Sequence, residues 1–181
     1  MTGIKRGFTL VELLIVIAIL GVLASIALVS FRSAQMRGRD VQRKSDLKGI
    51  SNSLELFYAD YAKYPDEVSG VPAGCPFDSV AKTGTACVWG ESEFRDVDAA
   101  GGTKTTYFKV LPKDPTSYSY VYRVDATSQK YQLFAYLENS QDPGCLPSDN
   151  PDCTNPGVTI SCGTKTCNFA ITSPNTTPTD F

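Results

Sequence analysis

The hydrophobic positions of the chain are concentrated near its start. Residues 8–31 have the sequence FTLVELLIVIAILGVLASIALVSF, in which Glu12 is the single charge. Because a helix rises about 1.5 Å per residue, an apolar run of this length crosses the ~30 Å hydrocarbon core of a bilayer. The run is also longer than the ~7–15 apolar residues of a cleaved secretory signal. The pattern therefore predicts a membrane-spanning helix.

A second pattern continues this helix over residues 32–64, which contain no proline. Its apolar residues recur three or four positions apart, at Leu47, Ile50, Leu54, Phe57 and Tyr61. This spacing forms one stripe of an amphipathic helix, which we expect to pack on the chain's own sheet. The helix is expected to end at Tyr64, because a residue before proline avoids helical dihedral angles and Pro65 follows.

Beyond Pro65 the pattern changes to short apolar runs between turn-forming residues. Residues 118–124 alternate in polarity, and residues 130–137 form a second β-favouring run after a turn at 125–129. This arrangement predicts an antiparallel hairpin. A further strand is expected at 106–111.

The rest of the head is assigned by composition. Residues 66–105 are expected to form a long loop, residues 158–161 and 168–171 a short hairpin, and residues 172–181 a flexible tail. With the head spanning 65–171, the expected fold class is α+β. In this fold a long N-terminal helix, half transmembrane and half amphipathic, packs on a small antiparallel sheet with disulfide-rich loops.

The composition removes several kinds of chemistry. The chain has no histidine, which excludes Ser-His-Asp and Cys-His catalysis and histidine-ligated zinc. Its net charge of −2 gives no general reason to bind nucleic acid. The acidic residues show no paired catalytic arrangement. We therefore expect no enzyme activity, and no cofactor apart from the calcium considered below.

All six cysteines lie at or after Cys75, and none form a Cys-x-x-Cys pair. That spacing disfavours zinc and dithiol redox sites, and in an exported head it favours three disulfides. Six cysteines allow many connectivities. We expect three local loops, closed by Cys75–Cys87, Cys145–Cys153 and Cys162–Cys167. Disulfides imply an oxidising, extracytoplasmic side of the membrane.

Glu12 is the residue that an ordinary membrane anchor does not explain. A carboxylate costs about 2.5–3.5 kcal/mol at mid-membrane, and less near an interface. One interpretation is that its side chain reaches the water at the membrane surface. The other is that it has a positively charged partner, since two buried opposite charges satisfy one another.

The residues around Glu12 resemble a known processing site. A short basic leader and the run GFTLVE over residues 7–12 resemble the N terminus of type IV pilins and type II secretion pseudopilins. The resemblance implies that residues 1–7 are a leader. It implies that a prepilin peptidase cuts after Gly7 and that Phe8 becomes the N-methylated N terminus. It also implies that Glu12 meets the amine of Phe8 in a neighbouring subunit, which sets the register of assembly.

A weaker resemblance lies in the head. Residues 111–115, with the sequence LPKDP, resemble the segment before the hairpin of the major pseudopilins of type II secretion. Those proteins bind calcium through aspartates after the last sheet strand, and here Asp142, Asp149 and Asp152 fall in that region. Carboxylates suit calcium, but the family's glycine-rich calcium loop is absent. Turn-forming aspartates beside prolines are the alternative.

The charge along the chain is uneven. Residues 32–48 are strongly basic and residues 49–181 are acidic overall. We interpret the basic segment either as a surface for acidic heads of neighbouring subunits or as a face next to anionic lipid. More cations follow the span than precede it, so the positive-inside rule puts the C-terminal side in the cytoplasm. The processing motif and the cysteines imply the opposite orientation.

These expectations together describe a filament subunit. The resemblance implies a structural subunit of a type IV pilus, which polymerises through its N-terminal helix for adhesion, motility or DNA uptake. A pseudopilin of a type II secretion system and a membrane-anchored extracellular binding domain are the alternatives. The implied partners are copies of the chain, the prepilin peptidase, an assembly platform with its ATPases, and the membrane. The implied location is the inner membrane before assembly and a cell-surface filament afterwards.

The disulfide framework is testable by counting thiols. Because each bond closes a loop and constrains the unfolded chain, we expect no reactive thiol in the denatured, non-reduced exported protein and six after reduction. Mass spectrometry of non-reduced peptides identifies the pairs. More than one free thiol per molecule contradicts the framework.

Overall fold

The computed structural model describes residue 7, residues 9–146, residue 153 and residues 157–181. Within these residues it contains one helix and eight strands. They are α1 Leu10–Tyr61, β1 Glu67–Val68, β2 Val71–Asp78, β3 Thr83–Ala86, β4 Phe94–Val97, β5 Thr103–Phe108, β6 Val121–Val124, β7 Tyr131–Ala135 and β8 Phe169–Thr172. The chain divides into two compact units, Met1–Gly38 and Arg39–Phe181. The expected α+β class is confirmed.

The helix α1 is continuous where the sequence predicted two adjoining segments, 8–31 and 32–64. It ends at Tyr61, earlier than expected, because Ala62 takes a left-handed conformation with φ of 54°. The N–H of Ala62 donates to the Tyr58 carbonyl at 2.7 Å. A left-handed residue directly after the last turn is a common way to end a helix.

In the first unit α1 exposes apolar side chains. The large ones from Leu10 to Leu23, and Phe31, are each at least 45% exposed. The helix contains a segment of mean hydropathy 2.9 and is long and apolar enough to span a membrane. A continuous apolar surface of this kind requires lipid or other apolar helices around it.

The first sheet of the head occupies much of the segment that was expected to be a loop. Its order is β1-β2-β4-β5, with β3 also paired to β2, and only β2 and β4 are parallel. β2 contains Pro72, Gly74 and Pro76, which argue against a strand when the sequence stands alone. The expected loop over 66–105 is therefore wrong, because pairing with three neighbours overrides a weak strand propensity. The strand expected at 106–111 is β5, displaced towards the N terminus.

The second sheet has the order β6-β7-β8 and is antiparallel. β6 and β7 form the expected hairpin, with Val124 opposite Tyr131. β8 pairs with the other edge of β7. Residues 168–171 therefore do not form the expected ladder with 158–161. A shorter antiparallel turn is present instead, with Ser161 bridged to Thr166 and the N–H of Cys167 donating to the Ile160 carbonyl at 2.8 Å. The ladder on β7 provides β8 with more backbone partners than a short isolated hairpin does.

The stripe of α1 lies at the centre of the core of the head. Four of its residues are fully buried, namely Leu47, Ile50, Leu54 and Phe57. The ring of Phe57 lies 4.8 Å from that of Phe77 in β2, edge to face, and 5.4 Å from that of Tyr107 in β5. Such pairs contribute about 0.5–1.5 kcal/mol beyond the buried area. The expected packing of the stripe on a sheet is confirmed.

Three disulfides cross-link the head: Cys75–Cys87, Cys145–Cys153 and Cys162–Cys167. Their Cα–Cα distances are 5.0, 5.3 and 5.1 Å, and they are the same pairs that the sequence suggested. The last bond is fully buried and packs on Phe134 of β7. It anchors the loop before β8 to the outer face of the second sheet.

Residues 172–181, expected to be a flexible tail, are held against the second sheet. Gln132 donates from Nε2 to the Thr177 carbonyl at 2.7 Å, and Arg123 donates from Nη1 to the Phe181 carbonyl oxygen at 2.9 Å. The expectation is wrong because it rested on polar composition alone. Backbone carbonyls of a polar segment accept hydrogen bonds from sheet side chains whatever the segment's own side chains are.

The buried stripe gives a matched pair of substitutions. Leu54 is fully buried and Leu56, two residues later on the same helix, is 59% exposed. We expect Leu54→Ala to lower the free energy of unfolding by about 2–5 kcal/mol, because it leaves a cavity. Leu56→Ala should change it by less than about 0.5 kcal/mol. Chemical denaturation of the full chain in detergent, followed by near-ultraviolet circular dichroism, measures both, and equal effects contradict the packing.

Candidate functional site

The start of α1 carries the residues of the processing motif. Gly7 is exposed, and Phe8 lies outside the described residues. Thr9 directly precedes the helix, and its N–H and Oγ1 donate to Glu12 Oε2 at 2.9 and 2.7 Å. The N–H of Glu12 donates back to Thr9 Oγ1 at 3.2 Å. These reciprocal bonds are a capping box, which satisfies free backbone donors at a helix start.

The capping box gives Glu12 a role within its own chain. Its Oε2 accepts two hydrogen bonds from Thr9, and its negative charge lies at the positive end of the helix dipole. The carboxylate is therefore partly satisfied before any neighbouring subunit is present. The sequence signal was available, since Thr-x-x-Glu before an apolar run is typical of this cap. Thr9 is thus a partner within the chain, in addition to the two that we expected for this carboxylate, water and an external cation.

A buried ionic cluster joins α1 to the head, and we call it the clamp: Asp40, Arg43, Asp114 and Glu138. Arg43 is fully buried. It contacts both oxygens of Asp114, from Nε at 2.7 Å and from Nη2 at 3.0 Å. Its Nη1 lies 2.8 Å from Asp40 Oδ1 and 2.8 Å from Glu138 Oε1. Nη2 also contacts Thr116 Oγ1 at 3.0 Å, so all five guanidinium donors have partners.

The carboxylate of Asp40 fixes the chain just after β7. Its two oxygens accept the backbone N–H groups of Glu138 and Asn139 at 2.9 and 2.8 Å. Two further ion pairs flank the clamp: Arg39 with Glu138, whose Nε–Oε1 distance is 2.8 Å, and Lys44 with Asp142. Residues 39–44 of the helix are thus bonded to two segments of the head, 114–116 and 138–142.

The electrostatics of the clamp follow from its hydrogen bonds. Burial acts to raise the pKa of Asp114, but hydrogen bonds from Arg43 and Thr116 outweigh it and hold the pKa below its usual value. A hydrogen bond from Arg39 lowers the pKa of Glu138 against the effect of burial, with Arg43 adding to it. Burial opposes the charge of Arg43, yet its three carboxylate partners raise its pKa. Asp114, Glu138 and Arg43 therefore carry their charges at neutral pH.

The clamp divides the basic segment of the helix into two groups. Arg39, Arg43 and Lys44 form ion pairs within the head. Arg32, Arg37 and Lys48 are exposed, and no ion pair is found for them among the residues that the structure describes. The sequence allowed residues 32–48 to be one basic surface for neighbouring subunits. The ion pairs within the head show that this surface is not uniform.

The calcium candidates are only partly described. The carboxylate of Asp142 contacts the ammonium group of Lys44 and accepts the Gly144 N–H at 2.8 Å. Asp149 and Asp152 lie outside the described residues. Over the described part of the chain, no group of three or more carboxylate or cysteine side chains is placed to hold a metal ion. Calcium binding by this loop stays a prediction.

A second polar cluster, which the sequence analysis missed, lies under the end of α1. Asp96 of β4 is fully buried and accepts from Tyr61 Oη at 2.5 Å, Tyr107 Oη at 3.3 Å and the Thr105 N–H at 2.5 Å. Tyr107 also donates to Asp60 at 2.7 Å. Burial and the bond to Asp96 raise the pKa of Tyr61 to about 12. These groups hold the helix end to the first sheet, because each tyrosine joins an apolar face to a carboxylate.

The fold and the motif together define a class. A helix of membrane length behind an N-terminal processing motif, joined to a disulfide-bonded α+β head, is the arrangement of a prepilin-type protein. Residues 4–28 match the family model of the prokaryotic N-terminal methylation motif. No solved structure matches the chain.

Curated proteins extend this similarity into the head. Type II secretion system core protein G of Pseudomonas aeruginosa is 27% identical over 146 residues, 81% of this chain and 90% of that protein. Core protein G of Escherichia coli K12 is 30% identical over 66% of this chain and 72% of that protein. Type IV major pilin protein PilA of Myxococcus xanthus is 41% identical over 62 residues, 34% of this chain and 28% of that protein. The chain belongs to the type IV pilin and type II secretion pseudopilin family.

The clamp makes a prediction that depends on charge. Arg43→Met leaves Asp114 and Glu138 without their shared cation, and breaking a buried ionic group costs about 3–5 kcal/mol. Lys48→Met removes an exposed cation of the same helix and should change the free energy of unfolding by less than about 0.5 kcal/mol. Denaturant unfolding of the full chain in detergent measures both variants.

The pH dependence provides the control. Because the pKa values of Asp114 and Glu138 are lowered on folding, their contribution to stability is complete above the ordinary carboxyl pKa of about 4. It is lost as the pH falls below that value. The unmodified chain should therefore lose stability on acidification, and Arg43→Met should lose less. An equal slope in the two proteins contradicts the clamp.

Proposed function

We propose that the chain is a pseudopilin of a type II secretion system, a structural subunit that polymerises through its apolar N-terminal helix. The observation that carries the proposal is the extent of similarity to core protein G, which includes 81–83% of this chain in several relatives. Because the helix ends at Tyr61, a match of this extent includes much of the head. The subunit itself performs no chemistry in this proposal.

The clamp supports the same function. Asp114 belongs to the LPKDP segment, residues 111–115, that resembles the major pseudopilins, and it binds Arg43 of the helix through two hydrogen bonds. A filament subunit transmits force between its helix and its head, so a directional link at this point is expected. The exposed apolar residues of the first unit support polymerisation, since an exposed apolar helix packs with copies of itself.

The type IV pilus, our first expectation, remains the second candidate. The match to PilA favours it but includes only 34% of the chain, whereas the matches to core protein G are longer. Both functions use the same processing, the same membrane-bound precursor and the same non-closing contact between subunits. They share the peptidase, the assembly platform and its ATPases as partners, and they differ in whether a long fibre reaches the cell surface.

A gene deletion separates the two candidates. In the producing cells, we expect loss of the gene to retain folded exoproteins inside the cell while leaving surface fibres unchanged. Mass spectrometry of the subunit should show a chain that begins at Phe8, and electron microscopy of sheared material should find no long fibre built mainly from it. Abundant sheared fibres of this chain, with normal secretion in the deletion strain, contradict the secretion proposal and favour the pilus.

Complementation tests the role of Glu12. Glu12→Ala should insert into the membrane and be cleaved, but should fail to restore secretion, because the partner of the Phe8 amine is gone. Glu91→Ala, which removes an exposed carboxylate of the head, should restore secretion fully. Normal function of Glu12→Ala contradicts the pairing, and a chain that still begins at Met1 leaves only the anchored binding domain.

A further inference from the structure

Two arginines of the first unit stand apart from the cations of the head. Arg32 and Arg37 are exposed and have no ion pair within the described part of the chain. They follow the apolar run directly, on the side of the span where the positive-inside rule disfavours cations. The cations at 39, 43 and 44 are explained by the clamp and the two ion pairs that flank it. Arg32 and Arg37 have no such explanation.

Arg37 belongs to a shallow groove on one face of α1. The groove has a volume of about 420 Å³ and is lined by Ser30, Ser33, Ala34 and Arg37. Their spacing of three, one and three residues places them on the same face of a helix. Side chains of a helix lean towards its N terminus, which directs Arg37 towards the turn that carries Ser33 and Ala34 in the same groove. Two hydroxyl donors and a planar cation are the chemistry that binds a phosphate oxygen.

The position of the groove along the helix indicates that this phosphate belongs to a lipid headgroup. Residues 13–31 carry no charge and span about 28 Å as a helix, which matches the ~30 Å hydrocarbon core. Ser30 and Ser33 therefore lie where this core ends, and Arg37 lies one turn beyond Ser33, at the depth of the lipid headgroups. Arg32 lies on the opposite face of the helix and adds a second positive charge at the same level.

We propose that the groove of Ser30, Ser33 and Arg37 binds the phosphodiester of an anionic glycerophospholipid while the subunit waits in the membrane. We expect the groove to prefer a headgroup with a net negative charge over a zwitterionic one, whose ammonium group cancels the charge of the phosphate. Each basic residue near an anionic surface contributes about a fivefold gain in association. The bound lipid fixes the depth of the span. The proposal rests on the proposed function only in requiring a membrane-inserted subunit, which the pilus alternative shares.

The experiment compares lipids around the full mature chain in bilayers. The chain is reconstituted in phosphatidylcholine vesicles that contain either spin-labelled phosphatidylglycerol or spin-labelled phosphatidylcholine. Electron paramagnetic resonance then measures the fraction of each label that the protein immobilises. We expect selectivity for phosphatidylglycerol, which falls with added salt and decreases about fivefold in Arg37→Gln. Lys48→Gln, an equal change of charge at an exposed position of α1 further from the span, should keep the selectivity.

A second variant separates the groove from charge alone. Ser30→Ala with Ser33→Ala leaves the net charge unchanged, and we expect it to reduce the selectivity by at least half. Unchanged selectivity in this variant overturns the groove. Equal immobilisation of both labels by the unmodified chain, or an equal loss in Lys48→Gln, overturns the lipid site. Flotation of the vesicles is measured first: a chain that does not insert contradicts the proposed function, whereas an inserted chain without selectivity contradicts only the lipid site.

Discussion

The guanidinium of Arg43 is the constraint on which the head depends. A fully buried arginine is tolerated only when its charge and all of its donors are matched, and here three carboxylates and a threonine match them. The apolar stripe of α1 favours burial of one helix face but tolerates small shifts along the axis, because apolar contacts are non-directional. The bidentate bond to Asp114 does not tolerate them. The stripe therefore provides most of the burial, and the clamp fixes the register of helix and head.

The same helix serves two environments, and its charges divide accordingly. From Leu10 to Leu23 its large apolar side chains are exposed, whereas Arg39, Asp40, Arg43 and Lys44 are bonded to the head. This division reduces the apparent conflict with the positive-inside rule, although Arg32 and Arg37 still follow the span directly. Three of the cations after the span are neutralised in the folded head, so a count from the sequence overstates the charge that the membrane meets. The orientation of a membrane-spanning helix under that rule depends on the unpaired charges close to its ends.

The features that could be predicted from the sequence are those encoded by neighbouring residues. The stripe of α1, the hairpin of β6 and β7 and the three short disulfide loops depend on spacings of a few residues. The clamp could not be predicted, because Arg43 lies 71 residues from Asp114 and 95 from Glu138, and nothing local distinguishes it from the exposed Arg37. β2 was missed because its prolines and glycine have meaning only beside its three partner strands. The capping box at Thr9 was local and could have been found.

The capping box also bears on how a charged residue is tolerated in an apolar helix. If Glu12 depended wholly on the amine of a neighbouring subunit, each newly inserted chain would hold an unpaired carboxylate until assembly. The bonds from Thr9 to Oε2 reduce that cost within the single chain, and the position at the helix start adds the dipole. The carboxylate then has hydrogen bonds both before and after assembly, and assembly adds a cation as a further partner. Because the Thr9 bonds lower the cost of burying Glu12 and a cation lowers it further, the carboxylate favours assembly without preventing membrane insertion.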